Sequence, residues 1–290
     1  MVTLFSTPKP FRGRFEIIQR NAIQSWLQLR PSCEVILMGD DAGAAEVAAE
    51  LGVRHVPDVA RNEIGTPLVN SLFQRAEQLA GRRYLCYVNA DIILTDDFLL
   101  AVECVAATFP QFLLVGRRWD LDICEPLDFS DGWGRRLKVL VAERGRLHGH
   151  TGIDYFVFPR GLWEEIPPFA IGRGVWDNWL IYGARSRNIP VVDVTEAVTV
   201  VHQNHDYSHF PGGEAALWNG VESQLNKKLA GGLSHLYNLA DADYRFTRKG
   251  VRRKITPYFF YRSLVSLSES NSGAALLLKI VRGAWEKIHV

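Results

Sequence analysis

Cysteine is scarce: four in 290 residues (Cys33, Cys86, Cys104 and Cys124), scattered, with Cys86 inside an apolar run. That spacing excludes a disulfide framework or a cysteine zinc site and fits reduced core residues of a cytosolic protein. Long apolar runs are missing too, since no stretch reaches the roughly 18 uninterrupted apolar residues of a membrane-spanning helix. The opening Met1-Val2-Thr3-Leu4-Phe5 reads as a strand, without the basic and long apolar regions of a signal peptide. No Gly-X-Gly-X-X-Gly follows this strand and no Walker A lysine motif occurs, which excludes a dinucleotide fingerprint and a P-loop. Nothing matches a recognised nucleic-acid-binding module, so nucleic acid is not an expected partner.

What remains is an ordinary globular composition, 47% hydrophobic and 22% charged, in a length that allows one large domain or two small ones. Val2 to Phe5, Glu34 to Met38, Val53 to Val56 and Tyr84 to Val88 read as strands. Between them, Ile17, Ile18, Ala22, Trp26 and Leu29 repeat at helical spacing up to Pro31. Ala44 to Leu51 is a second helix ending at Gly52. Leu68 to Leu79 is a third, with Thr66 as N-cap and Pro67 at the first helical position. Strand and helix alternating over short connections predict βαβ units: a Rossmann-like, mostly parallel sheet with helices on both faces.

In such sheets, ligands collect at the carboxyl ends of the strands. The groups there are Ser6, Thr7 and Lys9; Asp40 and Asp41; the loop from Arg61 to Thr66; and Asn89-Ala90-Asp91. Asn89 and Asp91 alternate onto one side, and two oxygen-bearing side chains there suit a hard divalent cation that also holds phosphate. The alternative is that Asp91 caps a turn or the helix beginning near Asp97. Without a P-loop, a bound nucleotide needs a metal to neutralise its phosphates, helped by Lys9 or Arg61.

Further on, Phe112 to Val115 is a strand ending in Gly116-Arg117-Arg118-Trp119-Asp120, and Trp133 to Arg144 an amphipathic helix. The arginines suit phosphate and a sugar face, or else an exposed ion-paired rim. Ile153 to Phe158 is a strand carrying Asp154, followed by a Pro/Gly-rich loop. Trp176-Asp177-Asn178-Trp179 opens a helix to about Arg187, where Asp177 also suits the helix dipole as a plain cap. Val191 to Val194 and Val198 to Val201 are strands, the latter running into His202, His205 and His209.

In this order, Asn-Ala-Asp, a glycine-led strand, a Trp-Asp-Asn-Trp helix start and a strand-end histidine, the chain resembles nucleotide-sugar-dependent glycosyltransferases of the GT-A fold over about residues 1 to 210. The resemblance implies a D-X-D variant at Asn89-Ala90-Asp91, with Asp91, Asn89 and His202 holding Mn²⁺ or Mg²⁺. It implies a UDP- or GDP-sugar donor bound by Ser6, Thr7, Lys9, Asp40, Arg61, Thr66, Asn89, Ala90, Asp91 and Arg117. Asp177 is the implied general base of an inverting transfer to a glycan, polysaccharide or lipid-linked acceptor. Asp154, Trp176, Asn178 and Trp179 are the implied sugar and acceptor contacts. A single base suffices for inversion, whereas a glycoside hydrolase uses two carboxylates. A sugar nucleotidyltransferase and a non-catalytic nucleotide- or sugar-binding protein remain as other readings.

These boundaries divide the chain into a nucleotide-sugar half (1–118), an acceptor half with a smaller sheet (119–212) and a helical, basic extension (213–290). From Arg245 onward there are ten Lys/Arg against two Asp/Glu, leaving the preceding residues acidic under a net charge of +1. Aromatics interleave with that charge, as in amphipathic helices lying on an anionic membrane surface. That implies a cytoplasmic protein touching the inner face of a membrane; the other reading is a helix packed on the catalytic domain or at a homodimer contact.

Overall fold

The computed structural model describes residues 1–206, 218–247 and 249–254, together with Gly273. The first seven elements alternate as the sequence predicts: β1 (Val2–Ser6), α1 (Arg14–Gln28), β2 (Glu34–Met38), α2 (Ala44–Leu51), β3 (Arg54–Val56), α3 (Val69–Leu79) and β4 (Tyr84–Val88). Then follow β5 (Ile92–Leu94), α4 (Asp97–Thr108), β6 (Leu113–Val115), β7 (Trp119–Leu121), α5 (Trp133–Arg144), β8 (Arg146–Leu147) and β9 (Tyr155–Pro159). The remaining described elements are α6 (Trp176–Ser186), β10 (Val191–Asp193), β11 (Val200–Gln203), α7 (Val221–Leu229), β12 (Tyr244–Thr247) and β13 (Gly250–Arg253), with two short 3₁₀ turns.

Nine strands form the main sheet in the order β13-β12-β10-β6-β9-β4-β1-β2-β3. Only β9 and β13 run against their neighbours. Strand alternation sorts the core into two layers. Val2 and Leu4 of β1, Cys86 and Val88 of β4, and Tyr155 and Val157 of β9 face α1, α2 and α4. Phe5, Leu85, Tyr87, Phe156 and Phe158 face α3 and α6. A fully buried side chain of this size contributes about 1.5–3 kcal/mol. The mostly parallel sheet covered on both faces is therefore the expected architecture.

A second sheet, β5-β11-β7-β8, stands beside the carboxyl end of β4. After Val88 the chain turns, with Asn89 N–H donating to Asp154 O (2.9 Å) and Ile92 N–H to Asn89 O (3.1 Å). Trp26 Nε1–H donates to Ile92 O at 2.8 Å and Leu94 N–H to Ser25 Oγ at 3.2 Å, which fastens β5 to α1. Its outer face is covered by α5, where Leu137 and Val141 pack on Ile93, Leu121 and Val201.

Three expectations are corrected. Thr66 does not cap α3: Leu68, still extended at φ −98° and ψ 130°, occupies that position. The reason is that Pro67 and Leu68 are held in bridges to Arg61 and Ala170, so the chain cannot turn helical until Val69. Trp119 to Leu121 is a strand of the second sheet, not the tail of the strand expected at Phe112 to Val115. The supposed helical extension contains a hairpin, β12–β13, that continues the main sheet beside β10. Gly250, which opens β13 opposite Thr247, has a φ of +92° that suits glycine. No helix among the described residues is long and apolar enough to cross a membrane. The amphipathic helices expected beyond the hairpin lie in 255–290, outside the described residues except for Gly273.

Candidate functional site

The loops after β1, β2 and β4, the start of β9, the approach to α6 and the end of β11 surround one cleft of about 780 Å³. The loop after β1 is rigid, because Gln19 of α1 clasps it. Lys9 N–H donates to Gln19 Oε1 (2.6 Å) and Gln19 Nε2 donates back to Lys9 O (2.9 Å). Lys9 Nζ stands 4.5 Å from the Phe15 ring centroid. Burial lowers the Lys9 pKa, while the Asp91 charge pulls it the other way. On the opposite side, Arg61 bonds to Asp40, to Asp41 Oδ2 (3.1 Å) and to Gly65 O (2.8 Å). Asn62 Oδ1 accepts from the N–H groups of Ile64 (3.0 Å) and Thr66 (2.9 Å), closing this loop on itself.

Between them lies the acid–histidine group. The ligand atoms of Asp91, His202 and His205 all lie within 4.8 Å of one another. His205 Nε2 is 3.1 Å and His202 Nε2 3.8 Å from Asp91 Oδ2. Backbone pairing makes the group: β11 runs antiparallel to β5, with His202 opposite Ile92. Gln203 then ties the two ends, its N–H and Nε2 both donating to Asp91 O, at 3.3 and 3.1 Å. Burial works to raise the Asp91 pKa, but His202, the hydrogen bond with His205 and the charge of Lys9 hold it well below the usual carboxylate range. Asp91 Oδ1 is buried without a hydrogen-bond partner among the described residues. An orphaned carboxylate oxygen beside two imidazole nitrogens is a donor set that fits a divalent metal ion.

Beside this group, Arg118 grips Asp154 with both ends of the carboxylate (2.9 and 2.8 Å) and bonds through Nε to Asp120 Oδ1 (3.0 Å). Asp154 Oδ1 also accepts from Asn89 Nδ2 (2.7 Å), and Asn89 Oδ1 accepts from the Tyr87 hydroxyl (2.9 Å). Both aspartates are at least nine-tenths buried. Removing the cation therefore leaves two buried carboxylates without their main counter-charge. Arg118→Met is expected to cost about 3–5 kcal/mol of folding free energy, read by urea denaturation. A loss below about 1 kcal/mol would show that the pairs are solvated instead.

Asp177 sits in the first turn of α6 and lines the cleft. Burial pushes its pKa up to about 6; the backbone N–H groups of Asn178 and of Asp177 itself oppose this, while the nearby Asp154 charge adds to it. The preceding Val175 has φ +82°, a left-handed conformation that is strained for a β-branched residue and costs about 1–3 kcal/mol. The strain is held by its apolar packing and by Trp179 N–H donating to Val175 O at 2.9 Å. Trp176 lies edge-on to Tyr87, centroids 5.2 Å apart, at the cleft floor.

Of the residues singled out from sequence, Thr7, Lys9, Arg61, Thr66, Asn89, Ala90 and Asp91 line this cleft, as do Asp154, Trp176, Asp177, Asn178 and His202. Four others do not. Ser6 is fully buried under the sheet end. Asp40 is exposed and paired with Arg61, and Asp41 takes the inward position beside it. Arg117 pairs as a bridge with Ile153, and the next residue, Arg118, reaches the cleft, because neighbours on an extended chain face opposite ways. Trp179 packs against Trp163 and Phe169 in the core. Asn89 does not join the acid–histidine group, since its amide serves Tyr87 and Asp154; His205 stands there instead. The repeated histidines after Val201 were the signal for His205. No local signal marks Trp218, which lines the cleft mouth so close to Gly174 that a Cβ there would lie 2.9 Å from the indole.

No family model and no curated protein matches this chain. Among solved structures it is similar to glucosyl-3-phosphoglycerate synthase from Mycobacterium tuberculosis in complex with Mg²⁺ and uridine diphosphate. That match has 14% identity and a TM-score of 0.48, covering 81% of this chain and 79% of that one. The same enzyme with Mn²⁺, UDP-glucose and phosphoglyceric acid gives 16% identity and a TM-score of 0.45, covering 80% of each chain. S. aureus TarS 1-349 gives 8% identity and a TM-score of 0.36, covering 55% of this chain and 47% of that one. At these values the likeness carries no argument about individual residues, and the chemistry rests on the side chains of this cleft.

Proposed function

We propose that the protein is a nucleotide-sugar-dependent glycosyltransferase that moves a sugar from a nucleoside diphosphate to a hydroxyl of a glycan or lipid-linked acceptor. One observation carries the reading: a single cleft at the sheet's carboxyl end joins a metal-binding donor set, Asp91, His202 and His205, to a carboxylate of raised pKa, Asp177. A divalent cation, Mn²⁺ or Mg²⁺, held by those three residues would neutralise charge on the donor diphosphate as the leaving group departs.

The remaining roles belong to the chain itself. Lys9, beside Asp91, places a positive charge where the diphosphate lies. Asp41, Arg61 and Thr66 form the nucleoside end, with Arg61 held by two aspartates. Trp176 and Asn178 border the sugar and acceptor end. Asp154, oriented by Arg118 and Asn89, faces the donor sugar as an acceptor of hydroxyl hydrogen bonds. Asp177 takes the proton from the attacking hydroxyl, and its pKa near 6 leaves it ionised at neutral pH yet basic enough to accept. One base and an in-line displacement give inversion.

The test is a thermal-shift screen of UDP and GDP with and without Mn²⁺. Ligand at about 100 times its Kd stabilises the native state by about 2.7 kcal/mol. A rise of several degrees with UDP or GDP that needs Mn²⁺ is expected. The same Tm for every combination at millimolar ligand would refute nucleoside-diphosphate binding. Pyrophosphate released from a nucleoside triphosphate would identify a nucleotidyltransferase instead.

A further inference from the structure

We propose that Asp120 is the positioning residue of the acid–histidine group, turning His202 so that Nδ1 faces Asp120 and Nε2 faces Asp91. The proposal rests on the divalent-cation reading of Asp91, His202 and His205 given above.

Sheet register builds the arrangement. β7 runs parallel to β11 with Asp120 beside His202, and antiparallel to β8 with Asp120 beside Arg146. Residues in register on neighbouring strands share a face of the sheet. Asp120 is 6% exposed and does not line the cleft, whereas Arg118, His148 and His202 do. These three cleft side chains lean on one carboxylate behind them. Asp120 Oδ1 takes Arg118 Nε at 3.0 Å and faces His202 Nδ1 at 3.6 Å. Asp120 Oδ2 takes His148 Nδ1 at 2.7 Å and Arg146 Nη2 at 3.4 Å.

The chemistry follows from what a carboxylate offers. An ionised Asp only accepts hydrogen bonds, and a neutral imidazole has one N–H to give. His202 Nδ1 has no hydrogen-bond partner among the described residues, and Asp120 is the acceptor it faces. The proton is therefore favoured on Nδ1, which leaves the Nε2 lone pair directed at Asp91. A carboxylate behind a histidine in this way fixes its tautomer and raises its basicity as a ligand. His148 and Arg118 also lean on Asp120 but stand outside the acid–histidine group, so within that group it is His202 that loses the facing carboxylate.

The experiment uses the full chain labelled with ¹⁵N-histidine, metal-free, at a pH where imidazoles are neutral. A long-range ¹H–¹⁵N correlation reads each tautomer, and the His202 signal is identified by its loss in His202→Gln. The wild-type protein is expected to carry the His202 proton on Nδ1. Asp120→Asn, which offers one acceptor oxygen to several donors, is expected to shift His202 toward Nε2–H. The same variant should weaken Mn²⁺ binding, titrated by electron paramagnetic resonance, by about 10- to 100-fold. A wild-type His202 protonated on Nε2 overturns the proposal without any variant. Equal Mn²⁺ affinity in Asp120→Asn and wild type overturns it while leaving the cation reading intact. A wild-type protein that binds no Mn²⁺ overturns that reading, and this proposal with it.

Discussion

Asp91→Ala is expected to abolish Mn²⁺ binding and the Mn²⁺-dependent part of UDP or GDP binding. Asp91 Oδ2 is the point both imidazoles approach, at 3.1 and 3.8 Å, and Asp91 is the only anionic member of the group. Two neutral imidazoles without a carboxylate hold a hard cation weakly. The loss should exceed 100-fold, about 2.7 kcal/mol, by metal titration. The fold should survive, because β5 is fastened through its backbone to Trp26 and Ser25 and through Ile92, Ile93 and Leu94 in the core. Far-ultraviolet circular dichroism checks this. Unchanged Mn²⁺ affinity in a folded Asp91→Ala protein would remove the metal from the proposed chemistry.

The second large effect has opposite signs for turnover and stability. Asp177→Asn is expected to lower kcat by about 10²- to 10⁴-fold, the usual contribution of a positioned base. Donor binding should stay close to wild type, since the role proposed for Asp177 is toward the acceptor hydroxyl. In the wild-type enzyme kcat should fall as pH drops through about 6, where the carboxylate takes up its proton. For stability, the folded pKa of about 6 lies above the ordinary aspartate value of about 3.9. Between those values the native state binds more protons than the unfolded chain, so this group's contribution to stability falls as pH rises, and the full cost is present above pH 6. Asparagine carries no charge there and escapes the cost. Asp177→Asn should therefore gain up to about 3 kcal/mol at pH 8 and nothing near pH 3, measured by chemical denaturation. Wild-type turnover in Asp177→Asn would exclude this residue as the base. Absence of the pH-dependent gain would mean that the carboxyl is solvated.

Buried residues with function commonly lower stability in this way, and the cleft shows it three times. Asp91 keeps an oxygen without a partner among the described residues, Asp177 is half-buried with desolvation working against its charge, and Val175 is left-handed. All three lie at the edge where β4 ends and α6 begins. Elsewhere, β4 and β9 pack apolar side chains on both faces of the sheet.

The alternating half of the fold is legible along the chain, because its signals are local. The apolar runs in Glu34–Met38 and Tyr84–Val88, and the helix at Trp133–Arg144, fall where their composition puts them. The sequence also marked the strand ends from which the cleft is built, since a polar residue ending an apolar run has no core to enter. Tertiary structure alone decided which polar residues meet. Asp91 and His205 are brought together by antiparallel pairing of β5 with β11, and pairing partners depend on the whole sheet rather than on spacing. The same pairing set Asp120 behind His202, and strand alternation chose Arg118 over Arg117. The hairpin at Tyr244–Arg253 was hidden for the same reason: its charge suggests a surface helix, and its place beside β10 is fixed by backbone hydrogen bonds that any side chain can accompany.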